Sequence, residues 1–202
     1  LAKPLRNVFN HKHSLNLQGG VESIRYSLDL NYDSNNGVMI GSHRSRAGAS
    51  LTIDFRHRSW LQIMNTLSYS STRSEDSPYG SFSTYAKLQP YNAIYDEDGN
   101  LLDRLVDKTI NPLWKVKNLE SYTGKAHLND LTENLNVNLF LLKGLQFKGQ
   151  FSITKTENKS ESFVDPKDPT FENSTLRDKG SLSLSRADNY SWNVNAMLYY
   201  NN

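Results

Sequence analysis

The densest run of metal-capable side chains is Asp96-Glu97-Asp98-Gly99-Asn100. Clustered carboxylates of this kind suit a hard cation such as calcium. The calcium loop of helix-loop-helix proteins, however, requires glycine at its sixth position and glutamate at its twelfth, and neither is present. The run reads instead as an Asp-Gly turn between Ile94-Tyr95 and Leu101-Leu102. His11 and His13 would share one face of a strand and are spaced to ligate zinc or copper. No cysteine or nearby carboxylate completes a shell, so they read as solvated or interfacial polar groups. Serine, histidine and aspartate are plentiful, but no G-x-S-x-G nucleophile elbow occurs. The sequence thus assigns no catalytic residue, no metal and no cofactor, and the chain is not expected to be an enzyme.

Aromatic side chains offer a different chemistry. Tyr79, Phe82, Tyr85, Tyr91, Tyr95 and Trp114 crowd one long polar stretch. Rings held at a surface among polar neighbours can stack on sugars or fill a protein interface. Alternatively, a loop this long folds on itself and buries those rings as its own small core. Tyr79, Tyr85, Tyr91, Tyr95 and Trp114 are the candidate contact residues.

Composition narrows the classes. The 202 residues are 37% hydrophobic, and the mean hydropathy is −0.65. No apolar run approaches the roughly twenty residues of a transmembrane helix. A membrane strand hides half its residues from lipid, so a β-barrel survives that exclusion. The net charge of +2 comes from basic residues scattered among acidic ones, whereas polyanion binders cluster theirs. No nucleic-acid partner is expected. The absence of cysteine removes disulfides and thiolate chemistry. The chain starts at Leu1 without a signal-peptide pattern, and we expect it to be a piece of a longer protein.

The elements that would position these residues are strands. Ile24, Tyr26, Leu28, Leu30 and Tyr32 alternate with Arg25, Ser27, Asp29 and Asn31. Successive strand residues point to opposite faces, which gives one greasy face and one wet one. The pattern recurs over 47–56 and 190–200. In all, seven strands are predicted at about 11–18, 21–32, 47–56, 61–70, 131–142, 145–154 and 190–200. Gly19-Gly20, Ser59-Trp60 and Lys143-Gly144 are expected as tight turns. Between them lie long loops at about 33–46, 72–130 and 157–189. Short and long connections therefore alternate, which puts all tight turns at one end of an up-and-down meander. Membrane barrels have that asymmetry, and aromatic residues towards strand ends fit their interfacial girdles. Seven strands would leave two bare edges, so this all-β chain is expected to be a partial segment of a large transmembrane barrel. A soluble β-barrel or sandwich binding module has the same alternation with the faces exchanged, and a non-transporting adhesion or scaffold barrel is a further alternative.

Several segments, in this order and spacing, resemble the SusC/RagA-type TonB-linked outer-membrane proteins. They are HSLNLQGG (13–20), IRYSLDLNYDSNNGVM (24–39), RAGASLTIDFRHRSWLQIMNTLSYSSTRSE (46–75), QPYNAIYDEDGNLL (89–102), Asn111-Pro112-Leu113, LLKGLQFKGQFSITKT and SWNVNAMLYYNN. The resemblance covers nearly the whole chain. It implies that residues 1–202 form part of one receptor barrel domain, without its plug. It further implies the outer membrane of a Gram-negative, Bacteroidetes-like cell and contact with outer-membrane lipids. The implied activity is import of glycans, oligosaccharides or peptides, with a SusD-like lipoprotein as lid and TonB acting through the missing plug. The candidate aromatic residues would then contact substrate or lid.

Overall fold

The computed structural model describes residues 4–89, 91–118 and 122–201. Seven strands form one sheet in chain order, β1 His11–Val21, β2 Ile24–Asn36, β3 His43–His57, β4 Leu61–Glu75, β5 Tyr122–Leu142, β6 Leu145–Val164 and β7 Ser181–Tyr200. Every neighbouring pair is antiparallel, and the sheet does not close on itself. This is the expected all-β meander. Two short helices, α1 Phe82–Ala86 and α2 Pro112–Asn118, lie in the connection between β4 and β5. No helix among the described residues is long and apolar enough to cross a membrane.

Register carries the alternation across the whole sheet. Leu17, Leu28, Leu51, Leu67, Glu133, Ile153 and Trp192 are successive cross-strand partners, and so are Ile24, Phe55, Ile63, Val137, Gly149 and Ala196. Partners in a ladder share a face, so these rows build one largely apolar surface seven strands wide. The opposite face is a polar ladder of Asp29, Ser50, Ser68, Thr132, Thr154 and Ser191. Its hydroxyls bond across strands, Ser50 to Ser68 at 2.9 Å, Thr52 to Thr66 at 3.1 Å and Thr132 to Thr154 at 3.2 Å. One residue of slip on any strand would exchange the two surfaces.

Two details depart from the sequence-based expectation. Gly19-Gly20 is not the first turn. β1 continues through it to Val21, and the hairpin closes at Glu22-Ser23. The glycines make room instead, since a Cβ on Gly19 would lie 2.5 Å from the Tyr26 hydroxyl across the hairpin. Gly20 has φ +138°, a conformation that side chains resist. The predicted turns at Ser59-Trp60 and Lys143-Gly144 are present.

The strands also outrun their apolar stretches. The long connections shrink to 37–42, 76–121 and 165–180, because backbone pairing persists beyond the continuous apolar band. β5, β6 and β7 have 21, 20 and 20 residues, about twice the 9–11 that span a bilayer. On β7 the apolar side runs from Tyr190 to Tyr200 with Trp192, Val194, Ala196 and Leu198 between, so rings mark both limits of a membrane-sized stretch.

Candidate binding face at the long-loop end

Antiparallel pairing places the three tight turns at one end of the sheet and the three long connections at the other. The core lies in those connections. Met39, Tyr85 and Leu105 are the buried large apolar side chains among the described residues, and none belongs to a strand.

Two small hairpins organise the β4–β5 connection. In the first, Tyr95 bridges Leu101, and the Asp96 carboxylate accepts from the backbone N–H of Asn100 at 2.7 Å and from its side-chain amide at 3.3 Å. Gly99 supplies φ +80°. The predicted Asp-Gly turn is therefore present, with Asp96 directed at Asn100. In the second, Arg104 bridges Ile110, and Asp107 accepts from both the backbone N–H and the hydroxyl of Thr109.

Asn111 ties the two hairpins to α2. It is fully buried, and its amide donates to the carbonyls of Ile94 at 3.2 Å and Leu102 at 2.8 Å. Its side-chain oxygen accepts from the N–H of Leu113 at 3.1 Å, as an N-capping asparagine does. Pro112 follows at the first helical position, where its fixed φ fits and its missing N–H costs nothing.

The β6–β7 connection docks against this unit through charge. Asp168, whose side chain is fully buried, lies 2.6 Å from the Lys115 ammonium and accepts from the N–H and hydroxyl of Thr170. Burial pushes its carboxyl up, but Lys115 and the Thr170 donors outweigh that and hold it below the ordinary carboxylate range. Arg104 adds an ion pair to Glu172 at 2.5 Å and a hydrogen bond to the Pro169 carbonyl. A second anchor joins the cap to the β2–β3 connection, where the Ser77 hydroxyl donates to the Ile40 carbonyl.

The five candidate aromatic residues separate. Tyr79 and Tyr95 line a cleft of about 420 Å³ with Leu101, Leu113, Val116 and Lys117. Tyr79 also borders a hollow of about 330 Å³ beside Lys115 and Phe163. Tyr85 is 2% exposed and belongs to the cap's core, where burial raises its phenol to about 12 with the nearby Tyr79 adding to the shift. Tyr91 is 93% exposed, and Trp114 is half-buried on α2 outside both hollows. Tyr85 thus packs into a core that the loop makes for itself, as one of the two expected arrangements has it, while Tyr79 and Tyr95 border an open cleft. Sequence reasoning missed Asn111, Lys115 and Asp168 as organisers, and Lys117 as a lining residue of the cleft. Only the Asn-Pro pair carried a local signal, that of a capped helix start. His11 and His13 lie with ring centroids 5.1 Å apart, and His11 also contacts the rings of Phe9 and Tyr32.

No protein-family model and no curated protein matches the sequence. Solved structures do match its shape. A chain of the RagAB peptide importer in a closed-closed state superposes over 98% of this chain and 23% of its own, with a TM-score of 0.72 and 16% identity. The open-open state of that importer gives a TM-score of 0.70 over 95% of this chain and 22% of its own, at 16% identity. A further RagAB peptide transporter structure gives 0.66 over 96% and 23%, again at 16% identity. This chain therefore spans less than a quarter of the length of those it matches. At such identity the likeness is one of fold, and the fold found is the expected all-β antiparallel meander, superposing on a section of those chains.

Proposed function

We propose that this chain is a wall section of an outer-membrane, TonB-dependent active transporter, with its long connections forming part of the extracellular mouth. The apolar face carries the reading. It runs across seven strands, interrupted by Asn65 and Glu133, which hydrogen-bond to each other at 3.2 Å, and by Lys155 at its upper margin. It exposes Leu15, Leu51, Leu67, Phe151, Trp192, Val194 and Leu198 among many others. In water, each such side chain forgoes about 1.5–3 kcal/mol of burial, and a patch this wide has no place on a soluble monomer. Lipid removes the conflict, and the polar face then lines a wet lumen.

The substrate class follows as a peptide or oligosaccharide, met by the Tyr79–Tyr95 cleft and by the exposed Tyr91 of the same connection, and a SusD-like lipoprotein would close over the same loops. Resemblance of the sequence and the RagAB fold support this assignment. TonB would act through a plug contributed by the rest of the transporter. The test is uptake of labelled peptides and oligosaccharides by cells carrying the complete transporter with residues 79–114 deleted. Loss of uptake and of lid association, with the barrel still in the outer membrane, is the expected result. Unchanged uptake would remove this loop from the mechanism, and a protein absent from the membrane fraction even when intact would end the barrel reading.

A further inference from the structure

Above the apolar band, the same face of β5–β7 changes character. The uppermost apolar row holds Leu131, Lys155 and Tyr190, with the Lys155 ammonium 5.4 Å from the centre of the Tyr190 ring. Two residues further up lie Asn129, Glu157 and Asp188, and two beyond those lie Arg73, His127, Lys159 and Arg186. At about 3.3 Å per residue and a tilt near 45°, these rows stand roughly 5 and 10 Å above the apolar band. A headgroup layer is about 5–8 Å thick, so they stand at its depth and its outer edge.

The upper row opens into a hollow of about 530 Å³. Arg73, Lys125, Lys159 and Arg186 line it together with His127, against two acids, Glu75 and Glu161. Glu157 sits beneath and fixes two of the cations, at 2.8 Å from Lys159 and 3.0 Å from Arg186. Asp188 holds Arg186 from a second side at 2.9 Å. A guanidinium has five donors and an ammonium three, so both retain donors for another oxyanion. Arg73 forms no ion pair among the described residues. The Lys159 and Arg186 side chains are 50% and 61% exposed.

We infer that this hollow binds the phosphate of an outer-leaflet lipid headgroup, an inference that rests on the membrane reading above. The occupant follows from continuity. The cationic hollow and the apolar band share one face of β4–β7, with the Asn129, Glu157 and Asp188 row between them and Tyr190 at the band's upper margin. An amphiphile with acyl chains below and a phosphate above matches both at once, and Arg with Lys is the pair that phosphate chemistry selects.

The test uses the complete barrel in phosphatidylcholine vesicles doped with a bisphosphorylated lipid A or with the same glycolipid stripped of phosphate, and counts co-purifying lipid by native mass spectrometry. The phosphorylated form should be retained about tenfold over the stripped one, a modest preference for charge-assisted hydrogen bonds. The variant Arg73→Gln/Lys159→Gln/Arg186→Gln should lose that preference, while Lys148→Gln on the polar face should keep it. Equal retention of the two lipids, or a preference that survives the triple substitution, overturns the inference. So does full displacement by inorganic phosphate, or by an acidic peptide, at the lipid's own concentration. Failure of the intact barrel to insert into either vesicle is a separate result, and it counts against the wall reading itself.

Discussion

The wall and the cap of this chain are stabilised in opposite ways. The wall has a complete hydrogen-bonded ladder and almost no buried side chain, and β7 is exposed along its whole length. The cap has little regular structure, yet it holds Tyr85, Leu105, Asn111 and Asp168 at 4% exposure or less. A ladder needs only backbone, so it can leave both faces for other media. A cap without a ladder must satisfy its polar groups locally, and it uses asparagine, aspartate and paired charges to do so. The wall therefore depends on what surrounds it, whereas the cap carries its own core.

The largest effect that would break this contrast lies in the wall. Leu51 sits at the middle of the apolar stretch of β3, and Thr52 is its neighbour on the polar face. In the complete barrel, Leu51→Arg should cost about 2–4 kcal/mol of stability in denaturant titrations from lipid vesicles, as an arginine near the bilayer midplane does. Thr52→Arg should cost far less. Equal costs would mean that the two faces do not meet different media.

Within the cap, Asn111→Ala removes three hydrogen bonds and leaves two carbonyls and an N–H to find new partners. We expect about 1–3 kcal/mol of lost protection in hydrogen exchange, confined to 94–118. Lys115→Met strands the buried Asp168 and should loosen the 165–180 connection by a similar or smaller amount, since the Lys115 side chain is itself 35% exposed. Exchange in the strands should not change in either variant. Loss spreading into β4–β6 would show that wall and cap are one cooperative unit.

Acid and base should separate the two regions further. Asp168 has a depressed pKa in the folded cap, so its contribution is complete above the unfolded carboxylate value and is lost as pH falls through the lower, folded one. Tyr85 is raised to about 12, so burial of its neutral phenol contributes fully below the ordinary tyrosine value and is lost as pH rises through about 12. Cap exchange rates should therefore stay flat through neutral pH and rise at both extremes, with Lys115→Met removing most of the acid limb. The smallest effect is expected at Tyr91, which is 93% exposed. Tyr91→Ala should change stability by less than about 0.5 kcal/mol, so any fall in uptake it causes would report on contact with substrate or lid.

The sequence alone determined the wall, because period-two alternation is a local property and each strand states which side is apolar. Leu28, Leu51 and Val194 needed no neighbour to declare their face. The alternation of short and long connections likewise established the meander and its two unlike ends. What alternation could not show was where pairing stops, since a ladder continues on backbone groups beyond the continuous apolar band. Nor could it show that Gly19-Gly20 accommodates Tyr26 across a hairpin rather than forming the turn. The tertiary structure alone decided the cap. Lys115 and Asp168 are 53 positions apart and meet only because β5 and β6 run down and back between them. The cationic hollow arises in the same way, with Arg73, His127, Lys159 and Arg186 contributed by four strands in register. No local signal marks such residues, because their meaning is set by register across strands rather than by spacing along the chain.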